Sequence, residues 1–272
     1  MSEPKNEREV FAGGLMLAQV DGPVGTVVFN QPAKHNAVTV EMWIGLGEIV
    51  AMMEADPAIR VIVLRGAGEQ AFVSGGDIGQ FDKTRHNAEV AALHAARMAA
   101  GRRAIQRCAK PTIAAIRGYC LGGGLGIALQ ADIRIAVTDS QFGIPAARLG
   151  IAYAFEGLRT LVDVVGPAHA RMIMFSANRL DAHEAARIGL INRAVPPEAL
   201  WDEVGLLAAR IASNAPISIA AAKAGIDMSL RDPEARDLAL LEEFQRRSLD
   251  SADYREGRAA FKEKRQPVFT GQ

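Results

Sequence analysis

The chain has 272 residues with 31 basic and 31 acidic side chains, so its net charge is zero and gives no general attraction to nucleic acid or membrane surfaces. That length suits one large domain or two modest ones. Cys108 and Cys120 are too few for a disulfide framework, and no spacing of Cys and His suits zinc, so a reducing cytosol and no metal are expected. The first ten residues, MSEPKNEREV, lack the apolar core of a signal peptide. The longest uncharged stretch in the apolar middle of the chain, 118–131, has 14 residues and is too short for a membrane span.

Apolar runs at 15–20 and 24–30, split by Asp21, Gly22 and Pro23, predict a hairpin. Thr39 is placed to cap a helix over 40–55, with Pro57 just past its end. Strands are expected at 59–64 and at 71–73, the second running into Gly75 and Gly76. The alanine-rich segment 87–108 predicts a long helix closed by Lys110 and Pro111. A strand at 112–116, a turn and helix at 121–130 and a strand at 132–137 then repeat the rhythm of an α/β protein. Beyond Gly157 a strand is expected only at 190–195, and Asp181 and Glu184 have capping-box spacing for a helix ending near Gly189. About 70 final residues read as three helices; within them, 231–265 carry nine acids and nine bases, the pattern of a solvated, salt-bridged face.

Several motifs fail. Ile127 stands where G-x-G-x-x-G needs its third glycine, no Gly-Lys pair forms a P-loop, and neither H-E-x-x-H nor G-x-S-x-G occurs. What remains are two strand-exit glycine clusters, AFVSGGDI at 71–78 and AAIRGYCLGGGLGIAL at 114–129. Glycine at such an exit lets backbone N–H groups approach one oxygen unobstructed, and a helix N-terminus adds partial positive charge, which together suit an oxyanion hole. Either cluster alone is also explained by close helix-to-strand packing.

With NQPAKHNAV at 30–38, PTIAAIRGYCLGGGLGIALQADIRIA at 111–136, FGIPAARLGI at 142–151, DAHEAARIGLINRAV at 181–195 and FKEKRQPVF at 261–269, these clusters resemble the enoyl-CoA hydratase/isomerase, or crotonase, superfamily in order and spacing. The resemblance implies an α/β fold with a ββα spiral core over 1–198 and a helical trimerisation region over 199–272. It also implies a homotrimer or dimer of trimers, and an acyl-CoA thioester as substrate with no further cofactor. It assigns the thioester carbonyl to the backbone amides of Gly76 and Gly123. For CoA itself it points to Lys34, His35, Ser74, Gly76, Asp77 and Ile78, and, from the last helix of a neighbouring subunit, to Phe261 and Lys264. Substituting Gly123 by valine is expected to disturb both backbone and pocket.

The hydratases of this superfamily use two glutamates, and their positions here hold Gly126 and Ala146, neither of which can carry a proton. Substitutes nearby are Glu156 and Tyr153, although a first-turn helix residue and a packed phenol explain them better than catalysis does. Asp77 also reads as a turn-ordering carboxylate, and Cys120 as a buried structural thiol. Three readings stay open: an acyl-CoA enzyme with displaced acid/base groups, a decarboxylase of malonyl-type thioesters, or an acyl-CoA-binding protein without turnover. Segment 83–110 has seven Lys or Arg against Glu89 alone, which raises nucleic-acid binding; Arg102, Arg103 and Arg107 reaching acids elsewhere from the helix argues against it.

Overall fold

The hairpin forms where the apolar runs require it. Residues 7–77, 79 and 88–272 are described by a computed structural model, so Ile78, Lys83 and Arg85 lie outside the described residues. Strand β1 (Glu7–Phe11), absent from the sequence expectations because EREVF alternates weakly and is polar, pairs antiparallel with β2 (Met16–Asp21). β2 turns at Gly22 (φ 52°) into antiparallel β3 (Val24–Phe29), with Asp21 opposite Val24.

Each later turn of the chain then adds one strand to this sheet and one to a second. β4 (Val61–Gly66) is followed by β5 (Ala71–Val73), β6 (Thr112–Ile116) by β7 (Tyr119–Leu121), and β8 (Ile133–Val137) by β9 (Gln141–Gly143). β10 (Leu180–Asp181) and β11 (Arg193–Val195) complete the second and first sheets. The orders are β1-β2-β3-β4-β6-β8-β11 and β10-β9-β7-β5, with β3 through β11 parallel in the first sheet and β5, β7 and β9 parallel in the second. This is the expected ββα spiral.

Among the described residues the helices are α1 (Val40–Ala55), α2 (Ala88–Arg107), α3 (Gly123–Ala128), α4 (Phe155–Ser176), α5 (Ala182–Arg187), α6 (Leu200–Ala212), α7 (Pro216–Ser229), α8 (Leu238–Asp250) and α9 (Ala252–Glu263). The last four replace the three expected from sequence. Ser251 makes the difference: its extended backbone ends α8, and its hydroxyl accepts the Tyr254 N–H at 3.0 Å to cap α9. Of the capping box only the N-cap half forms: Asp181 accepts the Glu184 N–H at 2.8 Å, while both Glu184 carboxylate oxygens accept from Arg187 instead.

Alternation along the central strands divides the core, since successive strand residues face opposite sides. Ile62, Leu64, Ala114 and Ile116 face the core under α1, with Met42, Leu46 and Ile49. Val61, Val63, Ile113 and Ala115 face the other side, covered by Leu200, Val204 and Ala208 of α6. Among the described residues the strands end at Val195, and α6, the first long helix after them, still packs on the sheet. Among the described residues no single helix is long and apolar enough to cross a membrane.

Thr39, buried at the start of α1, accepts the Met42 N–H at 3.3 Å, as the sequence suggests. Thr39→Ala is expected to lower stability by about 1 kcal/mol, the usual worth of such a cap, measured by chemical denaturation.

Candidate active site

Parallel strands leave a sheet on the same edge, and β5 and β7 are neighbours with Val73 opposite Cys120. Their glycine turns must therefore lie side by side. β9 adjoins β7 and exits alongside, where the Gly122 N–H bonds the Gly143 carbonyl at 2.8 Å. Three consecutive exits of the spiral thus meet: Gly75–Gly76, Gly122–Gly123 and the turn Pro145–Leu149 that carries Ala146.

The backbone directs the amides. Val38 bridges Gly76 in parallel by donating to the Gly75 carbonyl (2.8 Å) and accepting from the Asp77 N–H (3.1 Å). That pattern uses the peptide groups flanking Gly76 and turns the Gly76 N–H away from Val38. Gly123 is the first residue of α3, where an N–H has no intrahelical acceptor. Among the described residues neither N–H has an acceptor, and a β-carbon placed on Gly123 would lie 3.7 Å from the Gly76 nitrogen. Two free donors therefore flank one small space at a helix N-terminus, the arrangement that stabilises a developing oxyanion.

The left-handed backbone falls at Gly75 (φ 126°) and Gly122 (φ 51°), not at Gly123. This corrects the expectation that position 123 needs glycine's backbone freedom. A side chain there would meet no backbone strain but would enter the space between the amides. Gly124 is excluded by packing: its β-carbon would lie 2.0 Å from the Val73 carbonyl oxygen.

Gly126 has no such restriction. Its β-carbon would meet only the Tyr153 Oη at 3.7 Å and the Arg102 Nη1 at 3.9 Å. It opens on a cavity of about 650 Å³ whose wall includes Arg102, Tyr153 and Glu156. Tyr153 is part-buried, donates weakly to the Gly122 carbonyl at 3.4 Å, and has its hydroxyl pKa raised by burial, with Arg102 opposing the rise. Glu156 sits in the first turn of α4, as expected, with an exposed side chain. Sequence reading missed Arg102, whose signal was the lack of any acid three or four positions away on its helix. Among the described residues Arg102, Arg103 and Arg107 form no ion pair, so the expected balance by distant acids is not found; Arg102 instead lies 5.9 Å from the centroid of the Trp43 ring.

The loop before α1 closes the other side. Buried Asn36 donates to the carbonyls of Ala67 (3.0 Å) and Ala71 (2.8 Å) and accepts the Gln31 N–H (2.9 Å), fixing the loop to β5. The Ser74 N–H then reaches the His35 carbonyl at 3.1 Å, and the His35 ring meets Tyr119 edge-on at 6.0 Å between centroids. Lys34 pairs with Asp77 at 2.8 Å, and Asp77 accepts the Gly79 N–H at 3.0 Å. The lysine contact, chiefly, holds the Asp77 carboxyl below its ordinary pKa. Lys34, His35, Ser74, Gly76 and Asp77 thus come together. Phe261 and Lys264 lie apart on α9 and its C-terminal cap, where exposed Phe261 borders a second cavity of about 490 Å³. Cys120 is fully buried and its thiol pKa is pushed up by burial.

The family model described as Enoyl-CoA hydratase/isomerase matches residues 19–272. The chain belongs to the enoyl-CoA hydratase/isomerase family. It is 31% identical over 258 residues to the crotonyl-CoA hydratase of Syntrophomonas wolfei subsp. wolfei, covering 93% of this chain and 97% of that one. With the (E)-benzylidenesuccinyl-CoA hydratase of Thauera aromatica it shares 34% identity over 253 residues, 93% and 98% of the two chains. The crystal structure of an enoyl-CoA hydratase/carnithine racemase from Magnetospirillum magneticum superposes with a TM-score of 0.93 at 39% identity, covering 99% of each chain. Enoyl-CoA hydratase/isomerase relatives are enzymes, and this chain shares their α/β fold with a parallel-sheet core and C-terminal helices.

Within this family's glycine turn, adjacent positions should respond differently. Gly124→Ala must push β5 and α3 apart and is expected to lose about 1–3 kcal/mol or more, whereas Gly123→Ala meets only ordinary contacts and should change stability little. Paired denaturation curves check the contrast.

Proposed function

We propose that this chain is an acyl-CoA enzyme that holds the thioester carbonyl between the N–H groups of Gly76 and Gly123 and stabilises the enolate-like oxygen formed during reaction. The convergence of those two unpaired amides carries the reading. Each donor of this kind typically contributes ~2.7–4 kcal/mol to the transition state. In this reading Lys34, His35, Ser74, Asp77 and Ile78 approach CoA, and Phe261 and Lys264 serve a neighbouring subunit's CoA. The Lys34–Asp77 pair must then share its lysine with a phosphate. The thioester is the only CoA species required, and the buried thiols of Cys108 and Cys120 suit a cytoplasmic setting.

Hydration by two carboxylates is not available, because Gly126 and Ala146 occupy both positions. General acid/base groups usually contribute about 10²- to 10⁴-fold each, so hydration of crotonyl-CoA is expected to be at least about 100-fold slower than in an ordinary hydratase of this family. Loss of the enoyl absorbance measures it. Ordinary turnover would overturn the mechanism; residual turnover that vanishes in Glu156→Gln would assign the proton transfer to Glu156, and turnover that survives there but falls in Tyr153→Phe would assign it to the phenol. The same two vacancies favour a second reading, decarboxylation of a malonyl-type thioester. There the C–C bond to the departing CO₂ supplies the electron pair of the enolate, and no protein base is needed to form it.

The chain is further proposed to assemble as a trimer or dimer of trimers. Phe175, Leu206 and Phe261 are 78%, 68% and 87% exposed, on α4, α6 and α9. Apolar side chains spread over these helices suit burial against other subunits. Light scattering is expected to give about three or six times the 29.0 kDa chain mass, and a monomer at working concentration would exclude the assembly.

A further inference from the structure

We infer that the cavity beyond Gly126 selects acyl groups ending in a carboxylate, with the Arg102 guanidinium as the anion's partner and the Tyr153 hydroxyl as a second donor. This rests on the thioester reading above and names the acyl class that the site would take.

Three observations lead to it. First, Arg102 Nη1 and Tyr153 Oη converge, lying 3.9 and 3.7 Å from the same point, the place of a β-carbon on Gly126. Second, both have bonding capacity to spare. Among the described residues Arg102 makes no ion pair or hydrogen bond, and the one hydrogen bond of the Tyr153 hydroxyl is the long one to Gly122. Third, the cavity wall is cationic on balance, with six basic and four acidic side chains. Asp163 faces Arg159 at 3.9 Å and Lys223 pairs with Asp132 at 2.8 Å, and burial raises the pKa of Asp227. Glu156 is exposed on the first turn of α4, and Asp237 caps α8 through the Leu240 N–H at 3.1 Å.

A glutamate at position 126 would neutralise Arg102 and occupy the space in front of it. Glycine leaves both the charge and the space to a ligand. A part-buried guanidinium held against an aromatic ring and facing a phenol is suited to a carboxylate, which can accept from both donors at once. The scale also fits. Gly126 follows Gly123 by three residues, a rise of about 4.5 Å along the helix, so a short acyl chain held at Gly123 brings its far end to Arg102. The CoA phosphates are separated from the thioester by the whole pantetheine arm and do not compete for this position.

Calorimetric titration with glutaryl-CoA and pentanoyl-CoA tests the inference, since the two thioesters have equal chain length and differ only at the terminal group. The wild type is expected to bind glutaryl-CoA about tenfold tighter or more. That ratio should fall to near one in Arg102→Met, which removes the charge, and in Gly126→Glu, which answers it from within the protein, and should fall several-fold in Tyr153→Phe. Equal binding of both thioesters by the wild type, or a ratio unchanged in Arg102→Met and Gly126→Glu, overturns the carboxylate selectivity and leaves the thioester reading standing. Failure of both thioesters to bind overturns that reading, and the inference with it.

Discussion

Parallel pairing of β5 with β7, Val73 opposite Cys120, places two glycine turns at one sheet edge. A slip of one residue would move one turn by about 3.3 Å and reverse the faces of its strand, separating the Gly76 and Gly123 amides. Two features hold the register. Phe72, Val73, Cys120 and Phe142 are fully buried, so a slip would carry apolar side chains out of the core. Asn36 then clasps the carbonyls of Ala67 and Ala71 on either side of the turn into β5, which ties the first loop to the same edge.

The glycines of the second turn are glycine for different reasons. Gly122 supplies a left-handed backbone, and Gly124 lets α3 touch β5. Gly123 keeps the space between the two amides empty. Gly126 answers to none of these demands, because its backbone is helical and its β-carbon would be in ordinary contact. The fold therefore does not require glycine at this position.

Much of this was legible in the sequence because it is local. The Thr39 cap, the hairpin across Asp21–Val24 and the 112–116 strand depend on neighbouring residues, and all three form as read. Strands of two or three residues such as β7, β9 and β10 have too little sequence to show a period, and exist because a neighbouring strand offers hydrogen bonds. Gly76 and Gly123 became candidates through glycine spacing and family resemblance together. Arg102 could not be placed, since 24 positions separate it from Gly126 and only the packing of α2 over α1, where Gly101 lies against the Trp43 backbone, brings it to the cavity.

The amides and the side chains around them divide the chemistry. An N–H donor belongs to the backbone, so substitutions that respect the turn leave it in place, and it serves any reaction that builds charge on a thioester oxygen. Which bond is made or broken depends instead on the groups facing the rest of the acyl chain, and fold alone does not determine these. Beside Gly126 this chain presents a guanidinium and a phenol, both hydrogen-bond donors. A side chain at position 126 would cost the scaffold little, because Gly126 lies outside the constraints that fix Gly122 and Gly124. The groups around Gly126 can thus change without moving a strand or either of the two amides.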